Sequence, residues 1–157
     1  MENLTRIASF SVNHDFITEG IYISRIDGDI TTYDMRTRVP NNPSDDYMSN
    51  LTMHSFEHLF ATYVRNSEIG SRVIYFGPMG CQTGFYLLVR NADNNETLAT
   101  VRSVLEKIIA HEGAVPGATR PECGNYKNLD LASAKTEAER YLAVLSSGKC
   151  DFKYPEA

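Results

Sequence analysis

Two histidines and a glutamate form the strongest chemical pattern in this sequence, within His54-Ser55-Phe56-Glu57-His58. Residues four apart lie on one face of an α-helix, so both imidazoles can point at a single ion. Glu57 flanks the same face and does not have to be a ligand. The order of these residues is the inverted form of the zinc-protease motif. The spacing therefore predicts a metal ion held by His54 and His58, with Glu57 as the acid/base group.

A third ligand must come from elsewhere in the chain, because two histidines do not complete a metal site. Cys123 is the leading candidate, since it lies in the turn-rich segment Pro121-Glu122-Cys123-Gly124. Two histidines and a cysteine leave one tetrahedral position open, which is typical of catalytic rather than structural zinc sites. The competing interpretation of Cys123 is a half-buried loop cysteine. His111 is a rival ligand, although a histidine at a helix end is commonly a favourable cation.

Cys81 lies in a loop, Gly77-Pro78-Met79-Gly80-Cys81-Gln82-Thr83-Gly84, with three glycines and one proline. Such a loop lets backbone N–H groups approach a substrate or stabilise a thiolate. The alternative is a small residue that fills a tight turn. His14 has no local pattern and, taken alone, is expected to be a loop or core histidine. Cys150 lies in a polar tail and is assigned no role.

The elements that must position these groups follow from apolar periodicity and turn residues. Asp27-Gly28 is a favoured hairpin turn, and the helix that carries the histidines is apolar on most sides. The predicted strands lie in a hairpin at 21–38 and at 72–76 and 85–90, and the predicted helices lie at 46–66, 96–111 and 129–147. An irregular loop at 113–125 carries Cys123. This pattern predicts an α+β fold, an antiparallel β-sheet covered by helices, in a single domain over residues 1–157.

Composition and charge exclude several classes of protein. The chain has 157 residues, 42% hydrophobic and 22% charged, with a net charge of −5, which argues against a nucleic-acid binder. No apolar run approaches the roughly 20 residues of a membrane helix, and the N-terminus does not resemble a secretory signal. Three cysteines are too few for a disulfide scaffold. We expect a cytoplasmic protein without nucleic-acid or membrane partners.

Taken together, these segments resemble the LuxS family of S-ribosylhomocysteine lyases, from Ser9-Phe10 to the final helix. The most diagnostic segment is the glycine-framed cysteine loop. The motifs that carry the resemblance are Asn13-His14, Tyr33-Asp34-Met35-Arg36 with Pro40-Asn41, His54-x-x-Glu57-His58-Leu59, Gly77-Pro78-Met79-Gly80-Cys81-Gln82-Thr83-Gly84-Phe85-Tyr86, and Cys123-Gly124.

The resemblance implies a homodimer with active sites at the subunit interface. It also implies one divalent metal per subunit, iron(II) in the native state, with zinc or cobalt as substitutes. The implied roles are metal ligation by His54, His58 and Cys123, catalysis by Cys81 and Glu57, and substrate binding by His14, Arg36 and Ser9. N-terminal residues of the family reach the site from the partner subunit, which would explain why His14 has no motif of its own.

The reaction that the resemblance implies is cleavage of the thioether of S-ribosylhomocysteine. The products are homocysteine and dihydroxypentanedione, the precursor of the autoinducer-2 signal. Cys81 would move protons between neighbouring carbons so that the carbonyl migrates, Glu57 would move protons between substrate oxygens, and β-elimination would release homocysteine. The metal would polarise the carbonyl.

Four positions depart from the common pattern of the family. Tyr75 and Gly77 stand where aspartate and serine are common, and we expect them to alter ribose recognition. Asn13 and Leu129 replace a frequent aspartate and a frequent histidine.

Two other functions also fit the histidine motif. One alternative is a metallopeptidase, which would not need Cys81. The other is a structural zinc site in a binding module, in which Glu57→Gln would be harmless.

Overall fold

Two antiparallel hairpins form the sheet of the protein in the computed structural model, which describes residues 3–148 and 150–156. The strands are β1 (Gly20–Asp27), β2 (Ile30–Arg36), β3 (Val73–Pro78) and β4 (Gly84–Arg90). They lie in the order β1-β2-β4-β3, so β1 and β3 are the edges. Gly28 has a φ of +59° in the turn of the first hairpin, which confirms the predicted Asp27-Gly28 turn.

Alternation along β2 separates an apolar face of the sheet from a polar one. Tyr33 pairs with Leu87 and Met35 with Phe85, and all four are fully buried in the core. Successive side chains of a strand point to opposite faces. Asp34 and Arg36, the neighbours of Tyr33 and Met35, therefore lie on the face away from the core.

The helices are α1 (Ala8–Ser11), α2 (Asn50–Arg65), α3 (Asn94–Ala110) and α4 (Leu131–Ser147). Side chains of Ser49, Asp93 and Asp130 cap the three long helices by accepting hydrogen bonds from backbone N–H groups. The predicted start of the histidine helix at residue 46 is wrong, because the Ser49 cap begins the helix at Asn50. The α+β prediction is confirmed. In the described stretches, no helix is long and apolar enough to cross a membrane.

An aromatic cluster fixes α2 against the sheet. Phe60 stacks on Phe76 with ring centroids 4.4 Å apart, and Phe56 stacks on Phe85 at 4.8 Å. Such pairs contribute about 0.5–1.5 kcal/mol each beyond their buried area. Phe56 is fully buried, whereas His54, Glu57 and His58 on the same helix are half-buried.

A buried ion pair ties the chain after β2 to α4. Arg38 Nη2 donates to Glu137 Oε2 at 2.8 Å, and Nη1 donates to Oε1 of the same carboxylate. Both side chains are less than a tenth exposed. Arg38 Nε also reaches Asp46 at 3.2 Å, so the segment between β2 and α2 is held at both ends.

Candidate active site

The three predicted metal ligands converge at one point. His54 and His58 lie on α2, and Cys123 lies in the loop between α3 and α4. Their ligand atoms all lie within 4.8 Å of one another. Cys123 Sγ is 3.4 Å from His54 Nε2 and 3.6 Å from His58 Nε2, and all three residues are half-buried. The helical spacing and the turn-rich loop thus produce one cluster.

Backbone carbonyls set the orientation of both imidazoles. His54 Nδ1 lies 2.8 Å from the Asn128 carbonyl oxygen, and His58 Nδ1 lies 2.7 Å from that of Pro116. Because a carbonyl oxygen can only accept, each Nδ1 carries the proton and donates it. The lone pair of each Nε2 is then free on the side that faces Cys123. A second hydrogen bond of this kind is the usual support of a metal-binding histidine.

The arrangement of these atoms fits a tetrahedral ion with an open position. Typical zinc–nitrogen and zinc–sulfur lengths place a histidine nitrogen and a cysteine sulfur about 3.6 Å apart around one ion. The two observed separations of 3.4 and 3.6 Å agree with that value. The backbone N–H of Asn125 donates to Cys123 Sγ at 3.4 Å, which helps to fix the position of the sulfur. Two imidazoles and a thiolate suit zinc, iron or cobalt rather than magnesium or calcium.

Gly117 lets the loop pass close to His58, whereas the sequence alone indicates only an irregular segment at this position. Its φ is +73°, a conformation that favours glycine, and a Cβ there would lie 3.1 Å from His58 Nδ1. The Pro116-Gly117 dipeptide indicates a turn. Its contact with His58 depends on the folded loop, and local sequence carries no sign of it.

His111, the rival ligand, has a structural role. One ring nitrogen lies 2.7 Å from the Tyr63 hydroxyl, and the other lies 2.9 Å from the Ala114 carbonyl oxygen. With both nitrogens occupied, His111 ties the end of α3 to α2 and to the loop that carries Pro116. The structure thus favours Cys123 as the third ligand.

Glu57 is half-buried on the same helix, directly before His58. Within residues 3–148 and 150–156, its carboxylate makes no hydrogen bond or ion pair. A carboxylate without a fixed protein partner can accept a proton from a bound molecule and return it. This position is compatible with the predicted acid/base role.

Cys81 is exposed, and its surroundings differ from those predicted. Its Sγ lies 2.9 Å from Thr83 Oγ1 and 4.0 Å from Arg36 Nη1. The charged guanidinium, together with a hydroxyl, faces the sulfur in place of the expected backbone N–H groups. Gly84 also has a structural reason, since a Cβ there would meet the Met35 carbonyl oxygen at 2.5 Å.

Arg36 is held on the polar face of the sheet by Asp34. Arg36 Nε and Nη2 donate to the two carboxylate oxygens at 3.1 and 2.6 Å, and Nη1 donates to Thr83 Oγ1 at 2.8 Å. Burial disfavours the charged guanidinium, but the adjacent Asp34 carboxylate outweighs it and raises the pKa of Arg36. Arg36 therefore stays a cation beside the thiol.

Comparison with known proteins identifies the family. The family model described as S-ribosylhomocysteinase (LuxS) matches residues 7–150. A protein of Finegoldia magna named S-ribosylhomocysteine lyase is 40% identical over 159 residues, covering 98% of this chain and 100% of its own. Proteins of the same name from Clostridium acetobutylicum and Borreliella afzelii are 39% and 37% identical, covering 98% and 97% of this chain and 100% of their own. The chain belongs to the LuxS family. This confirms the predicted resemblance.

Two of the residues that the LuxS resemblance assigns to substrate binding, His14 and Ser9, have contacts outside the candidate metal centre. His14 is half-buried next to α1, and its Nδ1 lies 2.9 Å from the Val12 carbonyl oxygen. Ser9 lines a cavity of about 320 Å³ together with Tyr75 and Tyr86. Among the described residues, no hydrogen bond joins His14 or Ser9 to the metal-ligand cluster or to Cys81.

The two departures from the common LuxS pattern on β3 are linked in space. A Cβ on Gly77 would lie 2.2 Å from the Tyr75 hydroxyl oxygen and 2.6 Å from the ring carbon that bears it. The Tyr75 ring therefore occupies the space that a serine at position 77 would need. Tyr75 is also 55% exposed and borders the cavity that contains Ser9. The two positions alter one surface together.

Proposed function

We propose that this LuxS family protein cleaves the thioether of S-ribosylhomocysteine to homocysteine and dihydroxypentanedione. The observation that carries the proposal is the convergence of His54, His58 and Cys123, with both Nε2 atoms directed at the sulfur. Its support is the presence of this cluster in a chain whose relatives are named S-ribosylhomocysteine lyase. The product would be the precursor of autoinducer-2.

The three clustered residues would hold one divalent metal ion, and we propose iron(II), with zinc or cobalt as substitutes. Bound there, such an ion supplies Lewis acidity that makes the C–H bond beside a substrate carbonyl more acidic. All three residues are half-buried, and Cys123 also lines a surface cavity of about 410 Å³. The donor set supports this class of metal, because imidazole and thiolate suit these ions.

Cys81 would be the base that moves protons between carbons. As a thiolate beside Arg36, it would remove a proton from one carbon of the opened ribose and return it to the next, so that the carbonyl migrates. After the second migration, removal of a further proton breaks the carbon–sulfur bond, and homocysteine leaves as a thiolate that takes up a proton. Glu57 would carry protons between the substrate oxygens. No net oxidation or reduction occurs in this sequence.

We further propose a homodimer in which the N-terminal segment reaches the partner's site. Leu4 and Phe10 are 87% and 69% exposed, and Ile26 on β1 is 61% exposed. A partner chain that covers these exposed apolar side chains would remove them from water, which supports an interface at this end of the molecule. Ser9 and His14 lie in the same segment, so a partner would place them near the second chain's cluster. Because Cys81 and Cys123 would have to stay reduced, we propose a cytoplasmic location.

The test is incubation of the iron- or cobalt-loaded protein with S-ribosylhomocysteine, with release of free thiol followed by a chromogenic disulfide. We expect turnover in the wild type, and we expect Cys81→Ala and Glu57→Gln to bind metal normally while turnover collapses. Absence of thiol release from metal-replete protein would refute the proposed reaction. Unchanged turnover in Glu57→Gln would remove Glu57 from the mechanism.

A second experiment tests the shared site. Chains with His14→Ala are mixed with chains with Cys81→Ala, and the formation of mixed dimers is shown by mass spectrometry. If each site takes residues from both chains, a mixed dimer holds one site that lacks neither residue, and activity returns in part. Mixed dimers that form but stay inactive would contradict a composite site.

A further inference from the structure

The C-terminal tail, residues 150–156, is docked against edge strand β1. The backbone N–H of Ile23 donates to the Phe152 carbonyl oxygen at 2.8 Å, and Phe152 pairs with Tyr22 as an isolated parallel bridge. The Phe152 ring is 6% exposed and meets the Tyr33 ring edge-on, with centroids 6.1 Å apart. The tail is therefore part of the packed structure, which the sequence did not predict.

This docking brings the Tyr154 side chain onto the polar face of β2. The ring of Tyr154 stacks on that of Tyr22 with centroids 4.9 Å apart and an interplanar angle of 21°. Its hydroxyl donates to Asp34 Oδ2 at 2.7 Å. Asp34 is fully buried, so a donor at this distance is a substantial part of its environment.

A continuous chain of hydrogen bonds leads from Tyr154 to the exposed thiol. Asp34 accepts from Nε and Nη2 of Arg36, which fixes the plane of the guanidinium. The remaining nitrogen, Nη1, donates to Thr83 Oγ1 at 2.8 Å and lies 4.0 Å from Cys81 Sγ. The position of the cation beside Cys81 thus depends on how Asp34 is held.

We propose that Tyr154 is a positioning residue for Cys81, acting through Asp34 and Arg36 to favour the thiolate form. Without the Tyr154 hydroxyl, the Asp34 carboxylate has one donor fewer and draws more of the guanidinium's charge to itself. Arg36 then stabilises a negative sulfur less. The relevance to turnover rests on the proposed function, in which Cys81 is the base, but the effect on the thiol can be measured without substrate.

Four ionisable groups, Arg36, Asp34, Tyr154 and Tyr86, lie in this chain of contacts or beside it, and their charges are consistent with the proposed arrangement. Arg36 on β2 is the cation, and Asp34 lies behind it. Burial, followed by the negative charge of Asp34, raises the pKa of Tyr154, which keeps its hydroxyl protonated as a donor. Tyr86 on β4 also stays neutral, because burial and Asp34 raise its pKa. Arg36 is thus the group through which the tail acts on the sulfur.

The test compares the alkylation of Cys81 in the metal-loaded wild type, Tyr154→Phe and Tyr22→Phe. Iodoacetamide reacts with thiolate, so its rate against pH reports the thiol's ionisation. The Cys81 peptide is quantified by mass spectrometry, which separates it from Cys123 and Cys150. In Tyr154→Phe we expect a midpoint at higher pH and, near neutral pH, a rate about three- to tenfold lower. This is a fraction of the roughly 10- to 150-fold weight of a hydrogen bond to a charged group, because the effect reaches the sulfur only through Asp34 and Arg36.

Tyr22→Phe is the matched control. This variant keeps the ring stack with Tyr154 and loses only the Tyr22 hydroxyl, which donates to the Thr18 carbonyl oxygen at 2.9 Å. We expect its alkylation profile to equal that of the wild type. A wild-type profile in folded Tyr154→Phe, or an equal shift in both variants, would overturn the proposal.

A second measurement needs no variant that must fold. In wild-type protein with isotope-labelled tyrosine, the Tyr154 ring signal should remain that of a neutral phenol beyond the ordinary pKa of about 10. Titration at the ordinary value would show that the contact with Asp34 is absent and would overturn the proposal. These results are separate from the lyase assay, whose failure would refute the reaction and leave the measured link between Tyr154 and Cys81 unaffected.

Discussion

Replacement of Gly117 by alanine tests whether loop geometry sets the metal affinity. The new Cβ would lie 3.1 Å from His58 Nδ1 and 3.3 Å from Cε1. Ordinary carbon contacts are about 3.5–4.0 Å, so the ring or the loop must move by several tenths of an ångström. The movement falls on the 2.7 Å hydrogen bond between Nδ1 and the Pro116 carbonyl. The side chain that ligates the metal remains, but its orientation changes.

Two separate energies are expected from this change. An L-residue in the left-handed region costs about 1–2 kcal/mol, which lowers the free energy of unfolding without metal. Disturbing the outer hydrogen bond of a metal-binding histidine typically lowers metal affinity about 10- to 100-fold. That range corresponds to about 1.4–2.8 kcal/mol of binding free energy. The first energy belongs to the backbone at position 117, and the second belongs to His58.

Gly113→Ala separates these energies, because Gly113 also has a positive φ, of +87°, but no atom lies within 4 Å of its added Cβ. Cobalt(II) is titrated against a competing chelator and followed by its thiolate absorption, while urea unfolding of the metal-free protein gives stability. We expect a loss of stability in both variants, larger in Gly117→Ala because its Cβ also meets the His58 ring, and weaker cobalt binding only in Gly117→Ala. Equal cobalt affinity in the two variants would refute the role assigned to Gly117.

Three further predictions concern the rest of the chain. Gly77→Ala should destabilise the protein by about 1 kcal/mol, but it should be neutral in a Tyr75→Ala background, because the tyrosine ring that the new Cβ would meet is then absent. Additive free energies in a double-mutant cycle, measured by urea unfolding, would contradict the contact between position 77 and the Tyr75 ring. Glu137→Ala should cost about 3 kcal/mol in the same assay, because buried Arg38 then keeps only the partly exposed Asp46 as its counter-charge, and a loss below 1 kcal/mol would be inconsistent with this. Burial raises the pKa of Tyr141 well above its ordinary value, so the contribution of this residue to stability is retained below about pH 10 and is lost above it by about 1.4 kcal/mol per pH unit. Tyr141→Phe should reduce the slope of unfolding free energy against pH in this range, and an unchanged slope would refute the assignment to Tyr141.

The fold and the ligand cluster were predictable because their signals are local. Asp27-Gly28 predicts a hairpin turn through backbone preference, and the four-residue spacing of His54 and His58 follows from helix geometry. The start of α2 was placed too early because the broad apolar pattern extends before Ser49, where a side-chain cap begins the helix. Cys123 could be nominated from its turn-rich loop, although only the folded chain brings it to the histidines.

The environment of Cys81 could not be predicted, because it is assembled by contacts between distant segments. Arg36 is 45 residues from Cys81 along the chain, and Tyr154 is 120 residues from Asp34. Asp34 and Arg36 alternate with apolar residues and so indicate only that one face of β2 is polar. Nothing in the sequence near Tyr154 shows that the tail folds back.

The carbonyl groups that hold the two imidazoles belong to the main chain, and this determines which genetic changes the centre can tolerate. A substitution at position 116 or 128 leaves a carbonyl oxygen in place, so single replacements there can preserve the protonation of His54 and His58. The insertion or deletion of one residue between α3 and α4 would shift both oxygens, and Cys123 with them. In this loop, the number of residues and the path of the backbone are under stronger constraint than side-chain identity. Gly117 is the exception, because the backbone path there also requires a residue without a side chain.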